Sequence, residues 1–261
     1  MKGVAIQRVN PVMQIGSSFA CCCFWHVSIK SNPMFSHTNP VDVFFQVIVL
    51  LFAICVHESA HAWMANRLGD PTAKMLGRIS LNPLAHIDPF GTILMPLILI
   101  VLGFPPFGWA KPTPVDNRNF KNQVRDDILT AVAGPVSNFL TAFLSVVILA
   151  FIVHGSNIPI ARHARTASTA AALATLFYDA MWINVILAVF NLIPLPPLDG
   201  SHVIRHFLSY NALRVYDRIG YGALIVVIFI LPMIGFDIIG ALITPFMAFF
   251  QALLALFLGF R

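Results

Sequence analysis

Charge is what this chain lacks most. Of its 261 residues only 10% are Asp, Glu, Lys or Arg, where a soluble globular domain carries about a quarter. That scarcity excludes a large soluble domain. Acidic residues are the rarer kind, 11 in all, so each one in an apolar setting demands a reason. Cysteine is scarce as well. Cys21, Cys22 and Cys23 are consecutive, and Cys55 stands alone in an apolar run. Adjacent cysteines bridge poorly, so no disulfide framework is expected. The triplet reads as part of an unstructured N-terminal stretch rather than as a lipidation site. No small-residue cleavage signal follows an apolar segment. The formal charge of +5 is spread among loops, with no concentrated basic patch, which argues against a nucleic-acid partner.

What the chain has is apolar length. It is 58% hydrophobic, with a mean hydropathy of +0.80. Several runs approach the roughly 20 residues that span a bilayer. The expected fold is an all-α polytopic membrane protein with five to six spans. Residues 41–66, 128–153 and 171–193 are clear spans. Residues 220–260 hold two more, broken near Pro232, Gly235 and Asp237. A sixth depends on residues 92–104, which are short for a crossing. Residues 12–29 are only weakly apolar. Three regions follow: an N-terminal extension (1–40), a core (41–218) and a C-terminal helix pair (219–261). Between residues 69 and 89 the chain is polar and rich in turn formers, with short alternating pieces that suggest a β-hairpin.

Orientation follows from Lys and Arg. With the end of the 41–66 helix placed inside, the inner segments hold eleven of them, from Arg67 to Arg261. The outer segments hold five: Lys2, Arg8, Lys30, Arg162 and Arg165. The excess of positive charge belongs on the cytoplasmic side.

One motif carries chemistry. Within an apolar run stands V-H-E-S-A-H, residues 56–61. On a helix His57 and His61 lie about 40° apart and one turn along, close enough to share a zinc ion. Glu58 beside them can act as general base. A charge at bilayer depth costs roughly 2.5–3.5 kcal/mol, so Glu58 needs a compensating partner or a wetted helix end. A catalytic zinc takes three protein ligands and one open position. Asp199 is the leading third ligand, since it ends an apolar helix on the same side as His61. Pro194, Pro196 and Pro197 break that helix, and Gly200 permits a bend. Spacing alone leaves a second reading open, in which Asp199 merely belongs to an interfacial Pro-Asp-Gly turn.

The pair H-E-S-A-H and N-L-I-P-L-P-P-L-D-G resembles the signature of the site-2 protease family of intramembrane zinc metalloproteases. The stretches L-G-D-P-T-A-K, G-R-I-S-L-N-P-L, H-I-D-P-F-G-T, F-G-W-A-K-P-T-P-V and A-G-P-V-S-N are similar to its compact bacterial branch, which carries no PDZ or CBS domain. The likeness runs over about residues 44–207. It implies an intramembrane protease that cuts transmembrane protein substrates. His57, His61 and Asp199 match ligands for one Zn2+ per chain, and Glu58 matches the catalytic glutamate. Asn191 matches an Asn that steadies the substrate or oxyanion. Residues 69–89 match a hairpin that holds the substrate extended; Asn82 within it and Asn138 of the A-G-P-V-S-N segment are candidate substrate-binding residues. The implied location is a bacterial inner membrane, with the site toward the cytoplasm and the bilayer as immediate partner.

Other readings compete. A zinc transporter is expected to show internal repeats with matched broken helices, and none is visible. An inactive scaffold fits poorly with an intact set of chemical groups. His86 and Asp88 read as a turn, and His202 and His206 as a solvated interfacial helix despite their four-residue spacing. His154 and His163 read as loop residues, and the Phe-rich C-terminal helices as lipid-facing.

Overall fold

The structure, a computed structural model, describes residues 40–95, 98, 101, 109–156 and 169–259. The expected extension and residues 12–29 lie outside these residues. The first helix, α1, is Pro40–Leu68 and opens on a proline, whose missing N–H is no loss there. It stops at Gly69, where φ is 116°. Glycine adopts that conformation without the steric penalty of a Cβ. After the single turn α2 (Thr72–Met75) come α3 (Gln123–Ser156), α4 (Thr169–Asn191) and α5 (Gly200–Arg205). The chain continues through α6 (Tyr210–Ile225), the short turn α7 (Leu231–Met233) and α8 (Ile238–Phe257). Asp237 caps α8 by accepting from the Gly240 N–H at 2.8 Å.

Among the described residues α1, α3, α4 and α8 are long and apolar enough to cross a membrane. A fifth crossing is available if the pair Tyr210–Gly220 and Gly222–Met233, bent by 45°, counts as one span. The sixth expected span rests on residues 92–104, most of which lie outside the described residues.

Helices α1, α3 and α4 pack side by side, and α8 leans on α3 and α4. Small residues allow the close approach: Ala53, Ala62 and Ala65 on α1, Ala142 on α3 and Ala188 on α4 are all fully buried. Bulkier side chains fill the opposite half, with Leu149, Met181, Trp182, Val185 and Phe250 in one cluster. Phe139 lies parallel to Phe250, with ring centroids 6.2 Å apart and an interplanar angle of 6°. Outward faces stay apolar, as at Phe44, Phe52, Leu140 and Phe151. Helices apolar all round suit a lipid environment.

The hairpin expected over residues 69–89 is not what forms. No strand occurs among the described residues, and this segment consists of turns. The cause is local. Asp70-Pro71, Asn82-Pro83 and Asp88-Pro89 each place a capping acceptor before a proline, which starts a helical turn. Asn82 Oδ1 accepts from the Leu84 N–H at 3.0 Å, and Asp88 Oδ1 from the Gly91 N–H at 2.6 Å. Those bonds override the alternation of apolar residues. The segment therefore presents no strand edge to a substrate.

Asp70 ties the end of α1 to the loop before α3. It is fully buried. It accepts from the Thr72 N–H and hydroxyl (3.1 and 2.5 Å), the Asp116 N–H (2.8 Å) and Asn119 Nδ2 (2.8 Å). Burial pushes its carboxyl up, but these hydrogen bonds outweigh that and hold it below the usual carboxylate range. A depressed folded pKa stabilises above the unfolded value and loses that effect as pH falls through the folded one. Asp70→Asn removes one acceptor oxygen and is expected to cost about 2–3 kcal/mol at neutral pH. Thermal melts in detergent check this. The gap to wild type should shrink below the ordinary carboxylate pKa.

Candidate metal centre

His57 and His61 project from one face of α1, and both are buried. Their rings stand nearly perpendicular, at 83°, with centroids 4.6 Å apart. Each is anchored by its Nδ1. His57 Nδ1–H donates to Asn138 Oδ1 at 2.5 Å, and His61 Nδ1–H donates to the Thr130 carbonyl at 2.7 Å. The Asn138 amide is oriented by its other bonds, since Nδ2 donates to Asn184 Oδ1 (2.8 Å) and the Ala53 carbonyl (3.4 Å). A neutral imidazole carries one proton. With both rings neutral, as zinc ligands are, both Nε2 atoms are bare, and they lie 3.0 Å apart.

The third group comes from the break after α4. Asp199 Oδ2 lies 3.1 Å from His57 Nε2 and 3.4 Å from His61 Nε2. That oxygen is buried and receives no hydrogen bond. Three lone-pair atoms thus converge on one point. A single proton can relieve one pair of them, whereas a divalent cation relieves all three. The set of two imidazoles and one carboxylate suits catalytic zinc, which takes three protein ligands and keeps a fourth position open. The outward Nδ1–H bonds are the usual support for metal-bound histidines. Among the described residues no other group of three such side chains converges this closely.

Space for the cluster is made by Gly134 on α3. A Cβ there would stand 2.3 Å from His61 Nε2 and 2.7 Å from His57 Cε1. Gly200 plays a similar part for Asp199, because a Cβ on it would meet the Leu192 carbonyl oxygen at 2.2 Å.

Glu58 lies on the neighbouring side of α1. Its Oε2 accepts from the Thr113 N–H at 3.0 Å and the Thr113 hydroxyl at 2.7 Å. Thr113 belongs to an extended stretch pinned by Lys111 N–H to the His86 carbonyl (2.9 Å) and Trp109 N–H to the Gly91 carbonyl (3.1 Å). Ser59 and Ser80 join the same region to α1 through Ser59 Oγ–H to the Ser80 carbonyl, 2.6 Å.

The other expected residues fare differently. Asn138 is fully buried, and its amide bonds His57, Asn184 and the Ala53 carbonyl. In this arrangement it orients His57. Asn82 is exposed and caps a turn. Asn191 closes α4 with its Nδ2–H on the Leu187 carbonyl, 2.9 Å, and not on the His/Asp cluster. His86 is buried within the turns, donating from Nε2 to the Ser80 carbonyl. His154 bonds the Phe257 carbonyl at 3.0 Å, and His163 lies outside the described residues. His202 and His206 are not merely solvated: both reach Asp127. Thr113, Thr130, Gly134 and Asp127 were missed. For Thr113 a signal existed, because Pro112 and Pro114 leave it the lone backbone donor of that triplet.

The sequence profile of Peptidase family M50 matches residues 45–234, a span that holds the whole cluster. The chain belongs to peptidase family M50. It is an enzyme, a zinc metalloprotease, and its four to five apolar helices make it an integral membrane protein. It is 38% identical over 195 residues to YwhC of Bacillus subtilis, named as a candidate zinc metalloprotease, covering 72% of this chain and 81% of that one. It is 31% identical over 196 residues to Rip2 of Mycolicibacterium smegmatis, similarly named, covering 73% and 68%. For Rip2 of Mycobacterium tuberculosis the identity is 29%, covering 74% and 70%. No solved structure matches.

Gly134→Ala tests the geometry without touching a ligand. The added methyl must displace an imidazole, so zinc affinity should fall about tenfold or more. Competition with a zinc chelator measures this.

Proposed function

We propose that this M50 protease hydrolyses peptide bonds within or beside transmembrane segments of other membrane proteins. The observation that carries the reading is the convergence of His57 Nε2, His61 Nε2 and Asp199 Oδ2 between helices long enough to lie in a bilayer. In this reading those three side chains hold one zinc ion. Bound there, zinc supplies a Lewis acid that polarises a carbonyl and eases deprotonation of water.

The chain's own residues do the rest. Glu58 takes a proton from the attacking water and returns it to the leaving amine. Thr113 holds Glu58 Oε2, which leaves Oε1 for that transfer. Asn191 steadies the oxyanion after turning its amide away from the Leu187 carbonyl. Asn82, exposed beside the segment tied to Ser59, contacts the substrate chain. A substrate helix must unwind locally before its carbonyl can be reached, since its backbone groups are otherwise bonded to one another. The site lies toward the cytoplasmic side of a bacterial inner membrane in this reading, and the excess of Lys and Arg on that side supports the orientation. Water reaches a site at that depth.

Glu58→Gln checks the role of the glutamate. Cleavage of a membrane-embedded reporter should fall by about a hundredfold or more while zinc content stays at the wild-type level. A zinc-loaded Glu58→Gln variant that cuts at the wild-type rate would contradict the assignment.

A further inference from the structure

Asp199 has an unusual weakness for a metal-binding carboxylate. Such groups are normally held by hydrogen bonds of their own. Its Oδ2 receives none, and its side chain does not cap α5. Its position is therefore set by the backbone that carries it, the start of α5. That helix has six residues, too few to be stable alone, since isolated helices below about 12 residues are marginal.

Two side chains of the same short segment reach back to α3. His202 Nδ1 lies 3.2 Å from Asp127 Oδ2, and His206 Nε2 lies 2.8 Å from the same oxygen. Asp127 is buried, with 5% of its surface exposed. A cavity of about 260 Å³ opens beside these groups, lined by Asn117, Asp127, His202, Arg205, His206 and Leu213. Hydrogen bonds rather than close packing therefore hold α5 on this side. The Arg205–Asp217 pair, at 3.2 Å, is partly exposed on both sides and contributes little.

We propose that Asp127, His202 and His206 form a clamp that positions Asp199 for zinc. The clamp uses the face of α3 that already serves the histidines. Asp127, Thr130, Gly134 and Asn138 are spaced three, four and four residues apart, which puts them on one stripe. Asn138 sets His57, Thr130 sets His61, Gly134 leaves room between them, and Asp127 sets the segment bearing Asp199. These three clamp groups are positioning residues, which act through the backbone of α5. The inference rests on Asp199 being a zinc ligand.

The test is the zinc dissociation constant of the full-length chain in detergent, by competition with a chelator. Asp127→Ala should weaken zinc roughly 10- to 100-fold. In an Asp199→Ala background the same change should have no further effect, because the clamp acts only through Asp199. His206→Ala should weaken zinc, and His206→Gln, whose amide can reproduce the Nε2–H donor, should restore it. Arg205→Ala, on the same helix, should leave zinc affinity unchanged. A folded Asp127→Ala with wild-type affinity, or a loss that adds to that of Asp199→Ala, overturns the clamp. If Asp127→Ala fails to fold, the His206→Ala and His206→Gln pair decides, and equal affinities in the two would overturn it. If Asp199→Ala itself binds zinc as wild type does, the ligand assignment fails, and the clamp with it.

Discussion

Everything in this molecule is arranged around three lone pairs that should not be together. Two imidazole nitrogens and one carboxylate oxygen lie 3.0 to 3.4 Å apart, and the outward hydrogen bonds of both imidazoles remove the protons that would soften the contact. Buried groups in that state repel one another in a weakly screening medium. Only packing that is rigid, or a cation that is present, makes the arrangement tolerable. The fold supplies the first and the family chemistry the second.

Rigidity comes from α3 more than from the motif-bearing α1. One stripe of α3 reaches both histidines and the short helix after Asp199, through a side-chain amide, a backbone carbonyl, an absent side chain and a carboxylate. The division of labour is economical in type as well as place. Polar anchors hold the ring nitrogens, while a glycine keeps the middle empty. The polar end of the bundle is then closed by turns that use Asp70, Asn82 and Asp88 as caps. The remaining half, from Ala142 to Leu254, is apolar packing with no chemical task.

Much of this was readable from the residues. Four of the spans were, because a run of apolar residues long enough to cross lipid has few other uses. The metal cluster was readable in part, since His57 and His61 are local neighbours on a helix and Asp199 follows a conspicuous break. Residues 69–89 misled, because alternation of apolar residues competes with three Asx-Pro pairs and the caps won. The supports of the centre were invisible for a different reason. Thr113 meets Glu58 across 55 residues, Thr130 meets His61 across 69, and His202 meets Asp127 across 75. Two of those contacts use backbone groups, which leave no mark on residue type. Gly134 was quoted within a motif, yet its purpose is a volume that only the folded arrangement defines.

The central claim is that the His57, His61 and Asp199 cluster is a zinc site. X-ray absorption at the zinc edge of the purified chain tests it most directly. The account predicts one zinc per chain, with imidazole nitrogen and oxygen neighbours at about 2.0–2.2 Å and no sulfur. A folded chain without bound zinc, or a sulfur neighbour at about 2.3 Å that brings Cys55 into the shell, would contradict it.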